Sequence, residues 1–193
     1  QKGVAVVRIV CGSDHSMVLD MHGLIYAWGQ NGSGQCGVGR VGDVLSAEPV
    51  VMPSIKGGQV LVAHMAAGSQ HSMFVSAKDS KMGSTSGGKV YVWGCNAEGR
   101  LGLGHDEDQL VPVVVDALQT TKVALSAAGE AHTGVVDMNG CLWMWGLGSY
   151  GRLGLGEPID VPLPRRIPIP EELPVMQLAL GSFHSVALVG TGR

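Results

Sequence analysis

Four histidines share one local setting: Gly12-Ser-Asp-His15-Ser16, Gly68-Ser-Gln-His71-Ser72, Gly129-Glu-Ala-His132-Thr133 and Gly181-Ser-Phe-His184-Ser185. An imidazole beside a hydroxyl is the raw material of nucleophilic catalysis, and His15, Ser16 and Asp20 would make a Ser-His-Asp set on paper. Histidine is also a common metal ligand. A third signature, GxGxxG, occurs at Gly32-Ser-Gly34-Gln-Cys-Gly37 and at Gly146-Leu-Gly148-Ser-Tyr-Gly151, where it would cradle a pyrophosphate.

The repetition argues against all three. A nucleophile is needed once, and the hydroxyl recurs beside every one of the four histidines. No GxSxG elbow is present. A metal site needs ligands that converge, whereas one histidine per repeat spreads them apart. A dinucleotide site needs a helix opening at its glycines. No helical periodicity follows either copy, and the equivalent stretch Gly94 to Gly99 lacks the middle glycine. The histidines read as structural, each imidazole bridging local backbone groups to fix the turn ahead of a strand. No catalytic residue, metal ligand, cofactor site or small-molecule substrate is expected.

The histidine block is half of a longer repeat. The other half reads Trp28-Gly29-Gln-Asn-Gly-Ser-Gly34-Gln-Cys-Gly37-Val-Gly39, then Trp93-Gly94-Cys-Asn-Ala-Glu-Gly99-Arg-Leu-Gly102-Leu-Gly104, then Trp145-Gly146-Leu-Gly-Ser-Tyr-Gly151-Arg-Leu-Gly154-Leu-Gly156. A period of about 50 residues is the mark of stacked supersecondary units such as propeller blades. Within a unit, apolar β-prone runs alternate with turns: Val7 to Cys11, Ser16 to Asp20, Leu24 to Trp28. Asn139-Gly140 between apolar runs predicts a hairpin with positive φ at both residues. Tyr26 and Trp28, Tyr91 and Trp93, and Trp143 and Trp145 are each two apart, so each pair shares a strand face and predicts an aromatic layer between sheets. Helical pattern is weak; Glu171 to Leu180 holds at most a short helical turn.

Charged residues are 15% of the chain, against about 25% in an average domain, which predicts that part of the surface is covered. The net charge of −3 argues against nucleic acid as the main partner. Cys11, Cys36, Cys95 and Cys141 show no CxxC spacing and read as reduced thiols of a cytoplasmic or nuclear protein. No apolar run reaches the ~18 residues of a membrane span, and the opening residues lack a signal-peptide pattern. Three segments depart from the repeat. Asp79 to Lys89 lengthens one hairpin tip. Glu157 to Pro174 is proline-rich and carries Arg165 and Arg166. Asp106, Glu107 and Asp108 form the densest acidic run. The acidic run and the arginine pair are the candidate partner-binding residues.

The joined pattern, Gly-x-x-His-Ser/Thr, a hairpin, then Tyr/Trp-x-Trp-Gly-x-Asn-x-x-Gly-x-x-Gly-x-Gly, resembles the repeat of the regulator of chromosome condensation family. The resemblance covers nearly the whole chain. It implies an all-β, seven-bladed propeller with four-stranded blades. Residues 1–193 then read as a single partial β-propeller of about three to three and a half blades. Its repeats lie at approximately 26–79, 90–137 and 142–188, with 4–20 the end of a preceding repeat. Gly12, His15, Gly68, His71, Gly129, His132, Gly181, His184, Trp28, Trp93 and Trp145 are its structural repeat residues. So few repeats do not close a ring, so a longer parent or a partner chain is expected to cover the open faces. The resemblance implies a non-catalytic protein–protein interaction platform within a larger protein or assembly. The alternative is a guanine-nucleotide exchange factor for a Ran-like small GTPase. The plant ultraviolet-B receptor shares the repeat but carries a Gly-Trp-Arg-His-Thr motif, and this chain lacks it. No basic N-terminal tail of the kind that binds chromatin opens the chain.

Overall fold

The structure is a computed structural model and describes residues 5–54, 60–77 and 87–190. Most of the lengthened tip between Asp79 and Lys89 lies outside them.

Strand-forming runs fold back on one another in chain order. The first sheet is β1 (Val6–Cys11), β2 (His15–Asp20), β3 (Ile25–Gly29) and β4 (Val44–Pro49). The second is β5 (Val62–Ala67), β6 (His71–Ala77), β7 (Gly87–Gly94) and β8 (Gln109–Val114). The third is β9 (Val123–Ala128), β10 (His132–Asp137), β11 (Leu142–Gly146) and β12 (Val161–Arg166). A two-stranded sheet, β13 (Val175–Leu180) and β14 (Ser185–Val189), follows. All pairings are antiparallel between neighbours in sequence. Among the described residues this is three four-stranded blades and half of a fourth. The first strands β1, β5, β9 and β13 touch in succession, so they are innermost, and β4, β8 and β12 form the outer rim.

The expected short helix after Glu171 is smaller and earlier. A 3-10 turn spans Pro170–Glu172, and residues 175–180 are strand β13. The hairpins also differ from the expectation. At residues 137–140 only Gly140 has positive φ (+80°), and its N–H bonds the Asp137 carbonyl at 2.9 Å. The Asp137 carboxylate accepts the N–H groups of Asn139 and Cys141, at 2.9 and 3.0 Å. Asp20 does the same for His22 and Leu24, both at 2.8 Å. A buried aspartate at the strand end therefore sets these hairpins, with the glycine closing the turn.

Of the expected aromatic layer, Trp93 and Trp145 are fully buried against the preceding blade, Tyr26, Trp28 and Trp143 are half-buried, and the ring–ring contacts of the aromatic strands stay within blade two. Trp93 is fully buried, with Phe74 packed 4.6 Å from Tyr91 and 5.9 Å from Trp93 between ring centroids. Each Trp needs a hole in the preceding blade, and a glycine makes it. A Cβ on Gly37 would lie 2.7 Å from the Trp93 Nε1, and one on Gly102 would lie 2.7 Å from that of Trp145. Both glycines also have positive φ, +69° and +73°. Gly156 has a similar φ of +79°, but a Cβ there would meet nothing within 4 Å. Gly102→Ala should therefore cost about 2–4 kcal/mol, from backbone strain plus overpacking. Gly156→Ala should cost only about 1–2 kcal/mol from strain alone. Urea unfolding of the two variants checks the difference.

Candidate functional site

Every inner loop begins at a repeat glycine whose φ is not positive. Its role is close approach. A Cβ on Gly12 would sit 2.2 Å from the Gly68 carbonyl oxygen, and one on Gly68 would sit 2.4 Å from that of Gly129. The space is used by backbone bonds between blades: Ser13 N–H to Gly68 O at 3.3 Å, Ser69 N–H to Gly129 O at 3.1 Å, Glu130 N–H to Gly181 O at 3.3 Å.

The histidines reach across the same seams, not to local backbone as the sequence suggested. His15 Nε2 lies 2.7 Å from Ser72 Oγ, His71 Nε2 lies 2.8 Å from Thr133 Oγ1, and His132 Nε2 lies 2.9 Å from Ser185 Oγ. Each hydroxyl donates its one proton back to a carbonyl of the earlier blade: Ser72 to Gln35 O at 2.9 Å, Thr133 to Arg100 O and Ser185 to Arg152 O, both at 2.7 Å. The hydroxyl oxygen must then accept from histidine, so each ring carries its proton on Nε2. The Nδ1 atoms of His15, His71 and His132 are buried with no partner. The imidazoles are therefore neutral. Burial pulls His15 and His132 from the ordinary 6.5 to about 4, Asp14 partly opposing this at His15 and Arg152 reinforcing it at His132. Complete burial, with Arg100 nearby, takes His71 well below its ordinary value.

A residue that sequence reasoning passed over completes the seam. The guanidinium of Arg100 donates to Glu130 O at 3.4 Å, and that of Arg152 to Ser182 O at 2.7 Å. Arg100 also pairs with Glu98. In the first repeat the position is Gln35, whose backbone carbonyl also accepts the Trp93 indole N–H at 2.9 Å. The signal was Gly-Arg-Leu-Gly-Leu-Gly standing twice in register.

These seams hold one end of the blades together as a loop face. It comprises the inner loops at 12–14, 68–70, 129–131 and 181–184, and the long loops before β4, β8 and β12. Asp106 and Glu107 are exposed on it. Asp108 is exposed too, and its carboxylate accepts Asn96 N–H at 2.8 Å. Asp43 and Asp160 play that part for Asn31 and Gly148, at 3.3 and 2.9 Å. Arg165 and Arg166 are exposed at the C-terminal end of β12, opposite Met144 and Trp143. Among the described residues no ion pair joins the acidic run to the arginine pair. Arg165 makes a loose 3.8 Å pair with Glu157, which at such exposure contributes little. Among the described residues, no three His, Cys, Asp or Glu side chains gather as a metal site, and no helix is long and apolar enough to cross a membrane. All four cysteines are unpaired, and burial raises the Cys36 thiol to about 11.

The model of the Regulator of chromosome condensation (RCC1) repeat matches residues 22–75, 87–136 and 139–188, with a second form of it at 6–35. The chain belongs to the RCC1 repeat family. It is 32% identical to the ultraviolet-B receptor UVR8 of Arabidopsis thaliana over 191 residues, 98% of this chain and 40% of that receptor. It is 34% identical to the E3 ubiquitin-protein ligase HERC2 of Homo sapiens over 194 residues, 97% of this chain and 4% of the ligase. Among solved structures it is similar to Prp20p of Saccharomyces cerevisiae, with a TM-score of 0.78 and 25% identity, covering 94% of this chain and 43% of that one. The chain thus spans less than half the length of these relatives. The blades and the RCC1 repeats are out of phase: blade two takes β5 and β6 from the end of one match and β7 and β8 from the start of the next.

Neutral buried histidines set the acid response. Their native values lie below 6.5, so unfolding takes up protons as pH falls from 6.5 toward 4, and stability falls with it. Each of the three should contribute about 1.4 kcal/mol per pH unit inside that window. Urea midpoints should hold steady above pH 7 and begin to fall near 6.5, above the range where carboxylates protonate.

Proposed function

We propose that this chain is a non-catalytic docking platform whose loop face receives a basic protein surface. The observation that carries the reading is the negative charge of that face. The loops of that face hold nine acidic residues (Asp14, Asp43, Glu98, Asp106, Glu107, Asp108, Glu130, Glu157 and Asp160) and three arginines. Of the arginines, Arg100 and Arg152 are buried in the seams and Arg40 pairs with Glu48 at 2.7 Å. The face is formally −6, out of a net charge of −3 for the whole chain. Such a field raises encounter rates with a cationic partner and sets its orientation. The protein-binding and regulatory roles of RCC1-type propellers support the same reading. Arg165 pairs loosely with Glu157 at the border of that face.

A second reading has a specific support. The solved structure of Prp20p is described together with its binding to Gsp1p and histones. Exchange-factor activity on a Ran-like GTPase is the corresponding proposal here, with the same loop face as the contact. It would act by holding the nucleotide-poor GTPase, with no covalent step.

Core histones serve as the basic probe. Asp106→Asn with Glu107→Gln should weaken their binding about three- to tenfold and flatten its salt dependence. Asp108 is left intact because it holds the Asn96 N–H. Arg165→Ala with Arg166→Ala should leave the affinity unchanged or slightly raised. Equal loss in both double variants, or binding indifferent to salt, would contradict an acidic docking face.

A further inference from the structure

The two arginine seams differ by one charged group. In the first, the Arg100 guanidinium donates to the Ala97 and Glu130 carbonyls, and its Nη2 pairs with the Glu98 carboxylate. Arg152 repeats the two carbonyl bonds, to Ser149 O at 3.0 Å and Ser182 O at 2.7 Å. The carboxylate is missing. Tyr150 stands where Glu98 stands, and among the described residues no acidic side chain pairs with Arg152 and no acceptor meets its Nη2. In the first repeat the arginine position is Gln35 and the acid position is Ser33, so the seam without a cation also goes without an acid.

Arg152 is 3% exposed. A guanidinium keeps its proton however deeply it is buried, and a buried charge calls for an opposite one. The Arg152 guanidinium carbon lies 5.8 Å from the Tyr150 ring centre and 5.3 Å from that of Phe183, and the two rings meet edge-on. Rings attract and orient a cation without neutralising it. Nη2 is not sealed from solvent. A following blade does not close the opening. The Glu98 side chain is 35% exposed although Pro162 of the next blade packs on Gly99, 2.5 Å from a Cβ position there.

We propose that Arg152, walled by Tyr150 and Phe183, is a binding site for a carboxylate of a partner protein, an Asp or Glu side chain set among apolar residues. The carboxylate takes the place on Nη2 that Glu98 fills in the earlier seam. Its apolar neighbours lie on the exposed rings of Tyr150 and Phe183. Charge-assisted hydrogen bonds of this kind are short and directional. The proposal rests on the loop face being the contact surface, and it names the one point where an otherwise basic partner presents an acid. A single site of opposite sign within a negative face fixes register and rejects partners that bring no carboxylate to it.

The probe is a capped peptide, Gly-Ala-Leu-Glu-Leu-Ala-Gly, added to the full 193-residue protein. Binding is followed by the Arg152 Nε–H resonance, which reads affinities down to the millimolar range. The peptide carries no cation, so it reports on Arg152, whereas histones report on the acidic loops, and either reading can fail without the other. The peptide should shift the resonance saturably. The same peptide with Gln in place of Glu should bind about tenfold more weakly. Tyr150→Glu supplies from within the chain the carboxylate that Arg100 already has. The backbone accepts it, since Tyr150 has φ +61° and Glu98 has φ +56°. This variant should also lose about tenfold, because the site fills itself. Arg165→Ala with Arg166→Ala removes two other exposed cations and should change nothing. Four results would each overturn the proposal: no saturable shift, equal binding by the Gln peptide, undiminished binding by Tyr150→Glu, or loss of binding in the Arg165 and Arg166 double variant.

Discussion

A single hydroxyl proton governs how these blades join. Ser72, Thr133 and Ser185 each donate it to a carbonyl of the preceding blade. That leaves the hydroxyl oxygen as an acceptor, fixes the histidine proton on Nε2, and leaves Nδ1 buried and bare. A protonated ring would then bury an unpaired charge, so the seam tolerates only the neutral form. Imidazole, hydroxyl and carbonyl thus make one directional link between blades, repeated three times. The glycine before each histidine and the glycine under each tryptophan let the backbones come close enough for that link to close.

Function follows from what the seams leave over. The polar groups that look reactive in the sequence are consumed in joining blades. The arginines Arg100 and Arg152 are consumed too, each reaching a carbonyl of the next inner loop. The acidic side chains of the same loops are mostly left exposed; of them Glu98 pairs with Arg100 and Glu157 loosely with Arg165, and the others make no ion pair among the described residues. A rigid scaffold that pairs its cations internally and displays its anions is suited to binding, with electrostatics directing the approach. Tyr150 is held on this face at φ +61° and is 81% exposed, meeting Phe183 edge-on at 5.6 Å. Aromatic groups displayed this way are common anchors at protein interfaces.

The fold was legible because its determinants are local and recur. Alternating apolar runs, the Trp-x-Trp spacing and the glycine turns each appear several times, and repetition separates a rule from an accident. The partners of the histidines were not legible, because His71 and Thr133 are 62 residues apart and no local pattern links them. The hairpins misled for a related reason. Asn139-Gly140 suggested a two-residue turn, while the controlling group was the Asp137 carboxylate at the strand end. Asp108 looked like part of a solvated acidic run. Its role as a loop cap becomes visible only when Asp43 and Asp160 are seen capping Asn31 and Gly148 in the same way. In the first two blades a buried asparagine, Asn31 or Asn96, receives that cap and bonds the loop from within.

The most direct test of the account is a ¹⁵N–¹H long-range correlation spectrum of the histidine rings, recorded from pH 7.5 to 4.5. His15, His71 and His132 should all show the Nε2–H tautomer, and their nitrogen shifts should hold steady until the pH nears 4. Nδ1–H tautomers would mean that the hydroxyl donates to the ring, and ordinary titration near 6.5 would mean that burial does not penalise the charged ring; either result would contradict the seam.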